Sequence, residues 1–197
     1  DVARDFLAGE TVHADGRDIS ASGKIDDLDS IRRFAVAWLR REQDLDLRAF
    51  GVEFDVYFLE SSLYSEGKVE HTVKELVAAG HTYEQDGALW LRTTDFGDDK
   101  DRVLIRADGT PTYFAADAAY YLSKKDRGFD EKIYLLGADH HGYINRLKAI
   151  AACAGDDPEH NIEVKIGQLV SIAAERTGKR LGHAIYLDAL LEWIGSD

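Results

Sequence analysis

The stretch from Arg102 to Gly142, RVLIRADGTPTYFAADAAYYLSKKDRGFDEKIYLLGADHHG, constrains the chain most, because its periodicity and punctuation point to a strand–helix–strand unit ending in a polar turn. Val103-Leu104-Ile105 and Thr112-Tyr113-Phe114 read as strands about an Asp108-Gly109 turn, Asp117 to Lys125 as a short helix, and Ile133 to Leu136 as a buried strand. That last strand runs into Gly137-Ala138-Asp139-His140-His141-Gly142, a flexible polar segment just past a strand's carboxyl end, where open α/β sheets bind ligands. Tyr113 and Asp117 lie four residues apart and Asp117 and Tyr120 three apart, so a helix beginning near Ala115 would turn both tyrosines and Asp117 toward one pocket. An acidic, aromatic pocket beside a nucleotide-type crevice suits a small cationic substrate.

From about Asp101 the order is strand, helix, strand, helix, strand, with Ile144 to Ala154 as the second helix and Ile162 to Val170 as the last strand. This is the pattern of the second half of a Rossmann-like sheet, so the fold class is α/β. The preceding part is punctuated differently. Thr11 to Asp29, rich in Gly, Asp and Ser, reads as an exposed loop, and Ser30 to about Arg48 as a helix with Ile31, Phe34, Ala35, Trp38 and Leu39 at helical spacing. Val52, Phe54, Val56 and Phe58 alternate as a strand, and Ser65 to Ala79 reads as a helix stopped by Gly80. Thr82-Tyr83-Glu84 and Ala88-Leu89-Trp90-Leu91 flank Gln85-Asp86-Gly87, a hairpin signal.

A net charge of −13 argues against a general nucleic-acid binder, since phosphate contacts need clustered Lys and Arg. Arg32-Arg33 and Arg40-Arg41 are local exceptions that read either as a solvated helix face or as an RNA contact. Hydrophobic residues at 45% allow a real core, and no apolar run is long enough to cross a bilayer, so no membrane association and a cytoplasmic setting are expected. Cys153, the single cysteine, sits on an apolar helix face and reads as a small core residue rather than a nucleophile.

The segment 102–142 resembles arginyl-tRNA synthetases, a family of class I aminoacyl-tRNA synthetases. The resemblance continues upstream through FDVYFLES (54–61) and LRTTDFGDDK (91–100), and downstream from Gln168-Leu169-Val170 to Asp197, leaving only Asp1 to about Ser30 weakly matched. It implies that residues 1–100 form an α+β connective insertion, 101–173 the second half of the Rossmann-like catalytic domain, and 174–197 a signature loop with the start of the following helix. The chain opens on Asp1 without Met and carries no His-Ile-Gly-His type signature. A piece of a longer enzyme, inactive when isolated, is therefore expected.

The resemblance also assigns roles. Asp117 becomes the carboxylate facing the arginine guanidinium, with Tyr113 beside it and Tyr120 and His141 as further arginine contacts; from the residues alone, Asp117 equally suits the start of a helix, where the macrodipole favours an acid. Gly137 and Asp139 fall at the ATP ribose, with His140, Gln168 and Val170 also on the nucleotide side. Where the family carries Lys-Met-Ser-Lys, this chain has Arg176-Thr177-Gly178-Lys179. Arg176 and Lys179 keep the cations that would stabilise departing pyrophosphate, and Lys179 would also touch ATP; the local alternative is a plain basic turn.

The expected activity of the whole protein is arginine–tRNA ligation, with L-arginine, ATP carrying Mg2+, and tRNA(Arg) as substrates and no permanently bound cofactor. Two other classes stay open. A paralogue without aminoacylation, acting as a binding or regulatory module, would suit the altered signature loop. A metal-dependent hydrolase would use Asp139-His140-His141, although no His-x-x-x-His companion supports a metal site.

Overall fold

The computed structural model describes residues 1–168, 171–172, 175–176 and 186–195. Contacts divide it into two units, one of Asp1–Tyr57 with Ser171–Asp197 and one of Phe58–Val170.

In the first unit, α1 (Val2–Leu7) leads to an antiparallel hairpin of β1 (Thr11–Ala14) and β2 (Arg17–Ser20). Its connection, Asp15-Gly16, has φ of 52° and 71°, the doubly positive turn that matches strand twist. The loop expected over Thr11 to Asp29 is thus a hairpin in its first half. Its strands are too polar to announce themselves, and the apolar pair Val12 and Ile19 meets only across the register. Helix α2 (Leu28–Ala49) starts where the Asp27 carboxylate accepts the Ser30 amide at 3.0 Å, and it buries Phe34 edge-on against Phe6. The alternation from Val52 to Phe58 does not become a strand; Phe54 and Val56 are exposed, with no partner strand to give the alternation a face.

In the second unit, the helix expected from Ser65 to Ala79 is two helices, α3 (Glu60–Ser65) and α4 (Lys68–Ala78). Gly67 separates them at φ 67°, a left-handed conformation that ends one helix and lets the next begin. Strands β3 (Thr82–Gln85) and β4 (Ala88–Leu91) form the expected hairpin on an Asp86-Gly87 turn. Strand β5 (Arg102–Ile105), expected to open the nucleotide-type sheet, pairs antiparallel with β4 instead. The apolar pattern of Val103 to Ile105 shows a buried strand without showing which neighbour it hydrogen-bonds.

Thr112 to Phe114 is the start of helix α5 (Tyr113–Asp126) rather than a strand. The Thr112 hydroxyl donates to the Val103 carbonyl at 2.6 Å and accepts the Ala115 amide at 3.3 Å, so one side chain ties β5 to the helix it caps. Beyond it, β6 (Lys132–Gly137), α6 (Tyr143–Cys153) and β7 (Ile162–Gly167) form a parallel crossover unit, in register from Lys132 opposite Ile162 to Gly137 opposite Gly167. The last strand was expected to reach Val170, but it ends at Gly167; Leu169 and Val170 lie outside the described residues. Leu91, Leu104, Tyr121, Leu147 and Ile150 build one core under these elements. Cys153 belongs to it at 2% exposure, and burial pushes its thiol up to about 12, as a small core residue rather than a nucleophile. Farther along, β8 (Ser171–Ile172) pairs with β9 (Glu175–Arg176), and α7 (Leu187–Ile194) follows. No helix among the described residues is long and apolar enough to cross a membrane.

The least expected packing is ionic. Lys132, at the first position of β6, is 4% exposed, and its ammonium reaches Asp156 at 2.6 Å. Asp156 also accepts from the Tyr121 hydroxyl at 2.7 Å and pairs with Lys125 of α5 at 3.1 Å. Burial opposes the carboxylate's ionisation, but these donors outweigh it and hold its pKa below the usual range. Removing one member of such a cluster leaves an uncompensated buried charge. Asp156→Ala should therefore destabilise this unit by about 3–5 kcal/mol. Thermal unfolding followed by near-ultraviolet circular dichroism checks this; an unchanged midpoint would mean that Lys132 finds another partner.

Candidate active site

Helix α5 sets the geometry of the first cluster. Because Thr112 caps the helix, Asp117 falls one turn beyond Tyr113, and Tyr120 falls on the same face as Asp117. Asp117 and Tyr120 line a cavity of about 280 Å³ together with Ala116 and three residues from the start of the unit, Phe58, Glu60 and Leu63. The Phe58 and Tyr120 rings pack with centroids 4.8 Å apart, so the lining combines an aromatic pair with the carboxylates of Glu60 and Asp117. Tyr113 behaves differently from Tyr120. It is 80% exposed at the first position of α5 and is not part of the cavity lining. It shares a neighbourhood with Asp117 through Tyr64, whose hydroxyl is held un-ionised by burial and then by the nearby charge of Glu60, Tyr113 and Asp117.

Glu60 is the residue that sequence reasoning missed. It lies within FDVYFLES but 57 positions before Asp117, and no local pattern links the two. The electrostatics of Asp117 show their proximity. Burial pushes the Asp117 carboxyl up to about 6; the Arg146 guanidinium of α6 pulls it down, and Glu60 pushes it up further. No hydrogen-bond donor appears among the influences on Asp117. Arg146 is itself held by the Tyr143 ring, with its guanidinium carbon 4.2 Å from the ring centroid. The cavity thus presents a half-buried acid with no donor among the described residues, beside a second acid and an aromatic pair. Chemically, that arrangement accepts a cation rich in N–H groups.

The second cluster lies where β6 and β7 end together. Gly137 closes β6 opposite Gly167, and Gln168 follows directly, so Gly137, Asp139, His140 and Gln168 gather at the carboxyl end of the parallel pair. The segment Ala138–His140 is a short tight helical turn rather than an open loop. A side chain at Gly137 would meet the Asp139 carboxylate at 2.9 Å, so glycine there lets that exposed carboxylate lie close against the strand end. His140 stands 3.7 Å from Asp139 and edge-on to Tyr143, while the Asp139 carboxylate is 86% exposed. His141 is exposed at the end of the turn. Among the described residues, no three His, Cys, Asp or Glu side chains gather as a metal site. Arg176 lies in β9, where only its backbone is described, and Val170 and Lys179 lie outside the described residues.

The raised Asp117 pKa fixes a sign. Its folded value of about 6 exceeds the usual unfolded value of about 3.9, so the stabilising contribution is complete below the latter and is lost as pH rises through the former. Without ligand, Asp117→Asn should melt higher than the parent at pH 7.5, and the gap should close toward pH 4. Thermal midpoints across that range test this, and a gap that widened on acidification would reverse the assignment.

The family model described as "tRNA synthetases class I (R), catalytic domain" matches residues 21–194. The chain is 69% identical over 151 residues to an arginine–tRNA ligase of Paenarthrobacter aurescens strain TC1, covering 77% of this chain and 28% of that relative. An arginine–tRNA ligase of Thiobacillus denitrificans is 54% identical along 100% of this chain, which covers 36% of it. The chain thus spans about a third of the length of the curated relatives it matches. A Campylobacter jejuni crystal structure assigned as an arginyl tRNA synthetase superposes with a TM-score of 0.74 at 35% identity, covering 89% of this chain and 39% of that one. The arginyl-tRNA synthetase of Thermus thermophilus, at 18% identity and a TM-score of 0.66 over 84% of this chain and 35% of its own, shows the shared fold. With 174 of its 197 residues inside the matched region, this chain belongs to the arginyl class I tRNA synthetase catalytic-domain family.

Proposed function

We propose that the full-length protein carrying this chain is an arginine–tRNA ligase, and that residues 58–168 hold its arginine pocket and part of its ATP site. The observation that carries this reading is the Asp117 carboxylate, half-buried, without a donor, in a cavity shared with Glu60 and the Phe58–Tyr120 wall. A planar guanidinium can satisfy such a carboxylate bidentately, and its arrival removes the penalty that raises the Asp117 pKa. Tyr120 packs along the substrate's alkyl stem, and Tyr113 and His141 approach from outside.

On the nucleotide side, Gly137 lets the backbone come close to ATP, and exposed Asp139 accepts the ribose hydroxyls, with His140, Gln168 and Val170 about the adenosine. Magnesium arrives on the ATP phosphates rather than in a protein cage. The arginine carboxylate attacks the α-phosphorus, pyrophosphate leaves, and the terminal ribose hydroxyl of tRNA(Arg) then displaces AMP from the adenylate. No protein nucleophile is required. Positioning and electrostatic stabilisation supply the rate, with Arg176 and Lys179 offsetting charge on the pyrophosphate.

In this reading residues 1–100 are the connective part, which also lends Phe58, Glu60 and Leu63 to the pocket, 101–173 are catalytic and 174–197 the signature-loop region, and the enzyme works in the cytoplasm. The second reading, a paralogue without aminoacylation, rests on Gly178 standing where the family signature has Ser. Arginine-dependent pyrophosphate exchange by the full-length protein separates the two, and no exchange would favour the paralogue. Within an active enzyme, Asp117→Asn should weaken arginine use by about 2–5 kcal/mol with ATP use little changed. Asp139→Ala should show the opposite preference, weakening ATP use more than arginine use. Steady-state kinetics on each substrate check the pair, and a crossed result would mean that the two subsites are exchanged.

A further inference from the structure

The cations around the Phe58–Tyr120 pair are not held alike. Lys68 and Arg127 lie 5.8 and 5.9 Å from the Phe58 ring centroid, and each has a partner elsewhere: Lys68 pairs with Glu66 at 2.8 Å, and the Arg127 Nε donates to the Ser123 carbonyl at 3.1 Å. Lys124 of α5 is different. It is half-buried, and among the described residues neither a carboxylate nor a hydrogen-bond acceptor acts on its ammonium; burial, then the like charge of Arg127, pulls its pKa down to about 8. A charge withdrawn from water without an acid partner is costly enough to need a reason.

Aromatic rings supply it. The Lys124 ammonium lies 3.8 Å from the centroid of the Tyr134 ring and 4.2 Å from that of Tyr120, within reach of a cation–π contact with both. The rings differ in freedom. Tyr134 belongs to β6 and is 9% exposed, so the core fixes it. Tyr120 is only partly buried; it stands one turn before Lys124 on α5 and lines the cavity beside Asp117. Its ring is held by the Lys124 ammonium and by the Phe58 ring, whose centroid is 4.8 Å away.

We propose that Lys124 is a positioning residue for arginine binding: stationed on the fixed Tyr134 ring, its ammonium holds the Tyr120 ring in place against the alkyl stem of the substrate. This rests on the arginine pocket proposed above. The effect runs through the ring rather than through the field of the charge, since the charges that act on the Asp117 carboxyl are those of Arg146 and Glu60. A wall that is fixed before the substrate arrives spares the ordering cost that a free side chain would add on binding.

Lys124→Met in the full-length protein removes the charge from a flexible, unbranched side chain, and Lys124→Arg keeps a cation that can lie on the rings. In Lys124→Met the KM for arginine should rise roughly three- to thirtyfold, the span of a cation–π contact, with kcat and the KM for ATP close to the parent's. Lys124→Arg should restore the arginine KM. Methylguanidine, which carries the guanidinium without the stem, should inhibit the parent and Lys124→Met with the same inhibition constant. An arginine KM unchanged in Lys124→Met, or raised as much in Lys124→Arg, overturns the proposal, as does methylguanidine weakened in step with arginine. A merely structural lysine would lower the thermal midpoint and worsen kcat and both KM values together, which overturns it as well. Asp117→Asn is measured alongside: if it too leaves arginine use unaltered, the pocket assignment fails; if only Lys124→Met is silent, the pocket stands and Lys124 is excluded from its support.

Discussion

The second unit depends on one buried carboxylate. Asp156 follows the end of α6, and by binding Lys132 of β6 with Tyr121 and Lys125 of α5 it ties three elements to one point. Lys125 also donates to the Ala154 carbonyl, meeting the carbonyls left over where α6 ends. Such a cluster is a poor source of net stability, because desolvation consumes most of the Coulombic gain. It is a strong source of registry, since any slide of α5 along β6 would strand a buried ammonium. The placement of Asp117 and Tyr120 relative to the end of β6 is inherited from that registry.

Asp117 of α5 contrasts with Asp156, which follows α6. Both are removed from water, yet Asp156 is saturated with donors and stays acidic, whereas Asp117 has no donor and its carboxyl is pushed up to about 6. The difference is the presence or absence of an internal partner. A half-buried acid with no donor among the described residues carries a desolvation cost that an arriving donor would offset. Arg146 moderates that cost from α6 without a hydrogen bond to the carboxylate, which leaves the acid's lone pairs free.

The nucleotide-side cluster is built by different means. There the backbone carries the geometry: parallel register brings Gly137 and Gly167 level, and the tight turn after β6 folds Asp139 back close to Gly137. Exposed polar groups at such a strand end cost little when empty. The two clusters therefore differ in energetic character, one strained until occupied and one neutral.

Local chemistry was legible in the sequence. Helix α5, the Asp86-Gly87 turn, the parallel pair β6–β7, the core position of Cys153 and the polar turn at Gly137 all follow from periodicity, caps and glycine conformations acting within a few residues. Even there, the Thr112 cap was hidden in an apparent strand, because Thr-Tyr-Phe has strand propensity and the capping bond depends on the neighbouring chain. What only the tertiary structure decided lies at long separation: β5 pairing with β4, Lys132 seated on Asp156, Glu60 facing the cavity of Asp117, and Tyr113 turned out to solvent while Tyr120 turned in. Propensity and periodicity are set by a residue and its neighbours along the chain. Pairing, burial and electrostatic environment are set by which faces meet, and that choice is made by the whole core at once.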